Sequence, residues 1–190
     1  MAASCILLHG QPDRGEYHDP RFPSASNSHW LPWMQKNLLI RGVAAHTPEI
    51  PDSWNPHYPT WATEFERYEL TPETSLVGHS CGGGFLLRWL SEHPDVRVGR
   101  VVLVAPWLDP RREETGDFFE FTIDPLVSTR TAGLTVFHSD DDDDDIQESV
   151  GMILAEIGDV AAREFHGYGH FCQADLGSEE FPELLELLVR

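Results

Sequence analysis

The segment of this sequence that most clearly indicates catalysis is centred on a serine. Residues 78–82 read Gly-His-Ser-Cys-Gly, with Ser80 at the centre. This G-x-S-x-G pattern is typical of a tight turn from a strand into a helix, which holds the central side chain exposed and strained. The flanking glycines have no Cβ, so the strand and the helix can pack closely. The apolar residues 74–77 and 85–91 supply the strand and the helix that the motif requires, and Ser80 is therefore predicted to be a nucleophile.

A serine hydroxyl attacks efficiently only when a base takes its proton. His170 is the candidate base, because it follows the strand-like segment 160–165. The glycines at 167 and 169 would let that loop turn back toward Ser80. The spacing of His166 and His170 could suggest a metal pair on a helix, but the intervening glycines argue against a helix, and no metal site is predicted.

The base needs a carboxylate that fixes its tautomer and stabilises the imidazolium. Six consecutive aspartates, 140–145, follow the apolar run that precedes the histidine strand. Counting from Ser139 in a turn of the form small-x-x-Asp favours Asp142, with Asp141 and Asp143 as alternatives. Most of the run is expected to be a solvated loop.

Negative charge on the reacting carbonyl oxygen needs two preorganised N–H donors. One is predicted to be the backbone N–H of Cys81, next to the nucleophile, and the other that of Gln11, which follows His9-Gly10. The Cys81 side chain is expected to be a small buried apolar group rather than a nucleophile. Trp107 follows another strand end and is a candidate for lining the substrate pocket.

Alternating strand-like and helix-like segments must position these residues. Apolar, β-branched runs that favour strands buried on both faces recur at 5–8, 43–46, 74–77, 101–104, 134–137 and 160–165. Segments with helical spacing lie between and after them, at 30–40, 61–68, 83–91, 146–157 and 181–189. The pattern predicts a three-layer α/β/α sandwich with a mostly parallel sheet of about six strands. Sites in such sheets form at the carboxyl ends of the strands, where the residues singled out above lie.

Composition excludes several classes of function. The chain has 190 residues, 13 basic and 32 acidic, with a net charge of −19. Such a chain is repelled by nucleic acid and by anionic membranes, so neither is predicted as a partner. The length and a 41% hydrophobic content fit one domain over residues 1–190. Three cysteines without a CxxC pair, no signal-peptide pattern and no long apolar stretch predict a cytoplasmic protein.

These motifs together resemble the α/β-hydrolase superfamily, and more narrowly the small serine hydrolases typified by retinoblastoma-binding protein nine and its bacterial relatives. The carrying segments span nearly the whole chain: His9-Gly10, residues 29–34 and 48–51, Trp61, residues 78–82, residues 139–142 and Gly169-His170-Phe171. The resemblance implies a compact hydrolase core without a large lid, and carboxylester hydrolysis without a cofactor.

Two segments depart from the pattern of these hydrolases. The turn after the acid-bearing strand resembles Ser-x-Asp-Asp-Pro in the family, whereas here further aspartates replace the proline, which puts the position of the acid in doubt. The first loop, residues 11–28, is longer than a minimal oxyanion loop, which puts Gln11 in doubt. Residues 106–130 are the only expected room for a cap, and the short segment predicts an open site that takes short acyl groups.

The sequence therefore predicts a serine hydrolase that cleaves small carboxylic esters through Ser80, His170 and Asp142. An alternative of another class is a protein-interaction module that keeps the hydrolase fold but has no significant catalytic turnover. A further alternative treats the aspartate run with His138 and His166 as a divalent-cation site, but consecutive residues point in different directions and rarely converge on one ion.

Overall fold

The computed structural model describes residues 3–113 and 115–189. The strands are β1 (Ser4–Leu8), β2 (Ala44–His46), β3 (Thr74–His79), β4 (Val101–Val104), β5 (Leu134–Ser139) and β6 (Ala161–Phe165). The helices are α1 (Arg14–His18), α2 (Leu31–Ile40), α3 (Tyr58–Phe65), α4 (Cys81–Glu92), α5 (Asp144–Glu156), α6 (Gln173–Leu176) and α7 (Pro182–Leu188). Two short 3₁₀ helices cover Ala25–Asn27 and Val127–Arg130.

The six strands form one parallel sheet in the order β2-β1-β3-β4-β5-β6. This confirms the predicted α/β architecture. The chain moves outward from β1 to β2, then returns past β1 to β3 and continues to β6. The direction of winding thus reverses between β1 and β3, so the loops after these strands diverge and leave a crevice at their carboxyl ends.

Right-handed crossovers place the helices on both faces of this sheet. The connection through α2 runs in the opposite direction to those through α3, α4 and α5, so α2 lies on the opposite face. Two contacts agree with this assignment, since α2 touches α7 and α3 touches α4. The arrangement is a three-layer sandwich in which the sheet is the middle layer.

Burial along the strands follows their position in the sheet. All four residues of β4 are buried, as are the first four of β5. At the edges, only Ala45 of β2 is buried, and Ala161–Glu164 of β6 are exposed. The prediction that every strand is buried on both faces was wrong for these two, because an edge strand lacks a neighbour on one side.

The aromatic residues Trp107, Phe118 and Phe119 of the segment 106–130 pack into the core instead of covering a site at the surface. Phe118 is fully buried and meets the rings of Trp61 and Phe85 at 5.4 and 6.4 Å, while Phe119 packs beside Trp107. The segment that was the only expected room for a cap therefore contributes aromatic side chains to the core. Within the described residues, no helix has the length and apolar character needed to cross a membrane.

Candidate active site

Ser80 lies at the junction of β3 and α4 in a backbone conformation that few residues adopt. Its φ of 54° and ψ of −121° are unfavourable for a residue with a side chain, and such strain is found most often at functional sites. Four backbone hydrogen bonds hold the conformation, one of which Ser80 O accepts from Gly84 N at 3.2 Å. The Ser80 N–H donates to Val104 O at 2.9 Å, and Ser80 O accepts from Gly83 N at 2.9 Å and from Trp107 N at 3.1 Å.

The two glycines that flank this turn permit close packing of backbone on backbone. A Cβ on Gly78 would lie 2.5 Å from Gly82 O, and a Cβ on Gly82 would lie 2.4 Å from His9 O. No side chain rotation can relieve these contacts, since the atoms that collide belong to the main chain. The glycines of the motif are therefore required by the way in which β1, β3 and α4 meet.

His170 and Asp142 are in contact, as the sequence predicts. Nδ1 of His170 lies 3.0 Å from Oδ1 and 3.1 Å from Oδ2 of Asp142. The Asp142 side chain is 1% exposed, and the His170 side chain is 28% exposed. A buried carboxylate on Nδ1 directs the lone pair of the neutral imidazole to Nε2, the atom that must act as base toward a serine.

Asp140 and Asp141, the preceding members of the aspartate run, hold the loop that carries His170. Asp140 accepts from Gly167 N at 3.0 Å and pairs with His166 Nδ1 at 2.7 Å. Asp141 accepts from Gly169 N at 2.9 Å. Three successive carboxylates thus bind successive parts of one loop, and Asp142 is the one whose register matches His170.

These contacts shift the pKa values of the groups involved. The pKa of Asp140 is lowered, chiefly by its hydrogen bond with His166, and the pKa of His166 is raised by the same bond. The pKa of Asp141 is lowered, chiefly because the Ser139 hydroxyl donates to it at 2.6 Å. Both carboxylates are thereby kept ionised while they hold the loop.

Two buried histidines line the base of the site as neutral groups. Burial lowers the pKa of His9, and it lowers that of His79 well below the usual value. His9 Nδ1 donates to Gly10 O at 2.7 Å, and its Nε2 accepts from Ile50 N at 3.1 Å, which fixes its tautomer. Because both nitrogens are engaged with the backbone, His9 supports the turn rather than moving protons.

The predicted oxyanion donors lie on the two loops that meet at Ser80. Cys81 is the first residue of α4, so its N–H has no intrahelical acceptor and lies at the positive end of the helix dipole. Burial raises the pKa of the Cys81 thiol well above its usual range, which suits an apolar role for the side chain. Gln11 follows β1, and its Nε2 donates to Trp54 O at 3.0 Å, which anchors the loop.

A cavity of about 920 Å³ opens above Ser80 and His170. This volume is at the upper end of the range usual for ligand sites. Much of its wall comes from residues 12–29, the long first loop, so this loop takes the place that the sequence analysis gave to 106–130. Residues of the loop that line the cavity include Pro12, Tyr17, His18, Phe22, Pro23 and His29.

The first loop is fastened to the turn at residues 52–54. Tyr17 Oη accepts from Asp52 N at 2.9 Å, the guanidinium of Arg14 lies 4.7 Å from the Trp54 ring centroid, and the ring of His18 lies 5.7 Å from it. These contacts give the cavity wall a fixed position over the site, although helix α1 is only one and a half turns long.

Trp107 lies outside this cavity. Its side chain is buried, and its Nε1 donates to Asp145 Oδ2 at 2.8 Å. Among the described residues that line the cavity, the charged side chains are acidic: Asp13, Glu16, Asp19 and Glu49. One of them, Asp19, is paired with Arg21.

The fold and the paired His170 and Asp142 beside a strained serine define an α/β hydrolase-like protein. The family model described as "Serine hydrolase" matches residues 20–190. The chain belongs to this family.

A sequence relative and one solved structure agree with this assignment, and a second solved structure shares the fold. The Bacillus subtilis protein named "Putative hydrolase YdeN" is 29% identical over 195 residues, which cover 100% of this chain and 96% of that protein. The crystal structure of the B. subtilis ydeN gene product superposes with a TM-score of 0.81 at 26% identity, over 98% of this chain and 96% of that chain. Est1E from Butyrivibrio proteoclasticus, solved with ferulic acid, has a TM-score of 0.66 at 14% identity, over 98% of this chain and 86% of that chain, and shows the fold alone.

Sequence reasoning missed two features of this site. The first loop was treated as an irregular oxyanion loop, and its length was the signal that it could form a wall. His29 was noted only as part of a characteristic segment, 29–33, and was given no role. Both lie between β1 and α2, where the chain leaves the sheet and no periodic pattern indicates the fold.

Proposed function

We propose that this protein hydrolyses small carboxylic esters through a Ser80-His170-Asp142 triad. The observation that carries the proposal is the contact of the buried Asp142 carboxylate with His170 Nδ1, in a loop that reaches the cavity containing Ser80. Ser80 also has the strained backbone that presents a nucleophile above the helix N-terminus.

The reaction proceeds in two halves. Ser80 Oγ attacks the ester carbonyl carbon while His170 Nε2 takes its proton, and the N–H groups of Cys81 and Gln11 hold the oxyanion. The bond between the acyl carbon and the alcohol oxygen then breaks, His170 gives its proton to that oxygen, and the alcohol leaves while the acyl group stays on Ser80 Oγ. Water, deprotonated by His170, attacks the acyl carbon and releases the carboxylic acid and free Ser80. Asp142 orients His170 and stabilises its imidazolium throughout.

The charge of the cavity limits the substrates that this mechanism serves. The lining contains carboxylates but, among its described members, no lysine or arginine. A substrate with its own carboxylate would be repelled by these groups as it enters the cavity. Neutral and cationic esters are therefore the expected class, and the wall at 12–29 sets the upper limit on their size.

Two measurements test the proposal. A fluorophosphonate probe should label the wild type stoichiometrically and leave Ser80→Ala unlabelled, with thermal unfolding showing that both proteins are folded. A panel of p-nitrophenyl esters with acyl chains of increasing length should be turned over only by the wild type. Folded wild type that neither reacts with the probe nor turns over any ester would favour the protein-interaction module instead.

The proposed scheme needs no metal ion or other cofactor. Activity after exhaustive treatment with EDTA should match that of untreated protein within error. A loss that returns on adding Ca²⁺ or Mg²⁺ would instead favour a cation site at the aspartate run.

A further inference from the structure

His29 occupies a place in the cavity that the proposed triad does not use. It lines the cavity together with Ser80 and His170. Its backbone has a φ of 57°, in the left-handed region that His, Asn and Asp tolerate better than most residues. This turn comes immediately before Trp30, the N-cap of α2, and brings a polar ring to the wall of the site.

The tautomer of His29 is fixed by the loop that carries the catalytic base. Gln173 N–H lies 3.3 Å from His29 Nδ1, and a backbone N–H can only donate. Nδ1 must therefore carry the lone pair, and the proton of the neutral ring resides on Nε2. Within the described part of the chain, Nε2 makes no hydrogen bond, and it is not among the buried polar atoms that lack a partner. It is therefore accessible at the wall of the cavity.

His29 is also a neutral group at physiological pH. Its pKa is lowered by burial and by the proximity of His170, which together outweigh the opposing effect of Asp175. A neutral N–H can donate a hydrogen bond without placing a second positive charge beside the imidazolium that forms on His170. The site thus holds a donor that is compatible with the mechanism.

The position of His29 relative to His170 indicates which half of the ester it would meet. The rings of His29 and His170 both pack against His79, at 5.7 and 5.1 Å. His170 must reach the leaving oxygen to protonate it, so a donor beside His170 lies next to the alcohol half of the substrate. The oxyanion donors, by contrast, are supplied by the loops after β1 and β3.

We propose that His29 Nε2–H binds the alcohol half of the ester, so that the enzyme favours alcohols with a hydroxyl or similar hydrogen-bond acceptor near the ester oxygen. This inference rests on the proposed esterase function and adds a residue that selects the leaving group. Selection by His29 would act on acylation alone, since the alcohol has departed before deacylation.

Two butyrate esters of nearly equal size test the inference. Propyl butyrate and 2-hydroxyethyl butyrate differ only in a terminal methyl against a hydroxyl, and both give the same acyl-enzyme. We expect wild-type kcat/KM to be about tenfold higher for the hydroxyethyl ester, the gain from about 1.4 kcal/mol of differential transition-state binding. In His29→Asn, which keeps a residue tolerant of positive φ, the ratio of the two values should fall to near one. Intrinsic differences in ester reactivity cancel in this comparison of ratios.

Gln173→Pro provides a second variant that leaves His29 in place. Gln173 is the first residue of α6, where proline is tolerated, and Cys172 before it has the extended backbone that proline requires. The change removes the N–H that fixes His29, so the ratio should fall part of the way toward one. His46→Asn alters an exposed histidine on the edge strand β2, outside the cavity lining, and should leave the ratio at its wild-type value.

The outcomes separate this inference from the proposed function. Ser80-dependent turnover with no preference for the hydroxyethyl ester, or a preference that survives in His29→Asn, would overturn the role of His29 and leave the esterase standing. A loss of equal size on both esters in His29→Asn would overturn it too, because it would mean that His29 supports His170 instead. Absence of any Ser80-dependent turnover would overturn the esterase itself.

Discussion

His79 Nε2 donates a hydrogen bond to the backbone carbonyl oxygen of His170 at 2.8 Å, across 91 residues of sequence. His79 immediately precedes Ser80, so this bond ties the loop of the candidate base to the turn of the candidate nucleophile. A carbonyl can only accept, and Nε2 must therefore be protonated. Burial lowers the pKa of His79 well below its usual value, which keeps the ring neutral while it makes this bond.

The buried neutral histidine makes stability depend on pH. Between the low pKa of His79 in the folded protein and a value of about 6.5 in the unfolded chain, the unfolded state binds more protons. The free energy of unfolding should therefore fall as the pH drops below about 6.5. In His79→Gln, which keeps an amide donor, the slope should be smaller by up to about 1.4 kcal/mol per pH unit.

Urea unfolding at pH 5, 6 and 7 measures this slope. His46→Gln serves as the control, because His46 is exposed on the edge strand β2 and its loss should leave the slope unchanged. Identical slopes for wild type and His79→Gln would show that His79 is not neutral and buried in solution.

Replacing the aspartates one at a time tests the register of the triad. Asp142→Asn should lower kcat by about 10⁴-fold with little change in KM, because the wrong tautomer of His170 is favoured. Asp141→Asn should cost about tenfold or less, since Asp141 holds Gly169 and not the imidazole. Asp143→Asn should have no effect, because the Asp143 side chain makes no capping hydrogen bond at the start of α5. Steady-state kinetics on one p-nitrophenyl ester suffices, and a larger loss in either neighbour would reassign the acid.

Two glycines should respond in opposite ways to alanine. Gly78→Ala places a Cβ 2.5 Å from Gly82 O and should prevent folding or cost more than 3 kcal/mol, as measured by chemical denaturation. Gly151 lies in α5 with no atom within 4 Å of the added Cβ, so Gly151→Ala should stabilise the protein by about 0.5–1 kcal/mol. A Gly78→Ala variant as stable as the wild type would contradict the close packing of β3 on α4.

A substitution at Trp107 tests whether this buried side chain stabilises the fold without lining the substrate cavity. Trp107→Phe removes the donor to Asp145 and should lower the free energy of unfolding by about 1–3 kcal/mol. The relative rates on acetate, butyrate and octanoate esters should not change, because the ring does not line the cavity. A shift in chain-length preference would restore Trp107 as a pocket residue.

Local patterns were enough to predict the sheet and the motif around Ser80. Apolar runs of strand length, separated by helical periodicity, predict a parallel sheet because only that arrangement buries them all. The glycines at 78 and 82 predict the tight turn because any side chain there would collide with main chain. The choice of Asp142 came from counting along one turn, and the contact with His170 agrees with it.

Tertiary structure alone decided which segments enclose the site. Residues 12–29 form a wall because Tyr17 accepts a hydrogen bond from Asp52 N and Arg14 lies over the Trp54 ring, which brings the first loop onto the turn at 52–54. Phe118 turns inward, away from the site, because its ring packs against those of Trp61 and Phe85. Neither outcome has a periodic signal, since irregular loops are placed by contacts between distant residues. The sequence determined the sheet and the candidate catalytic residues at the carboxyl ends of its strands, whereas the fold decided the shape of the cavity above them.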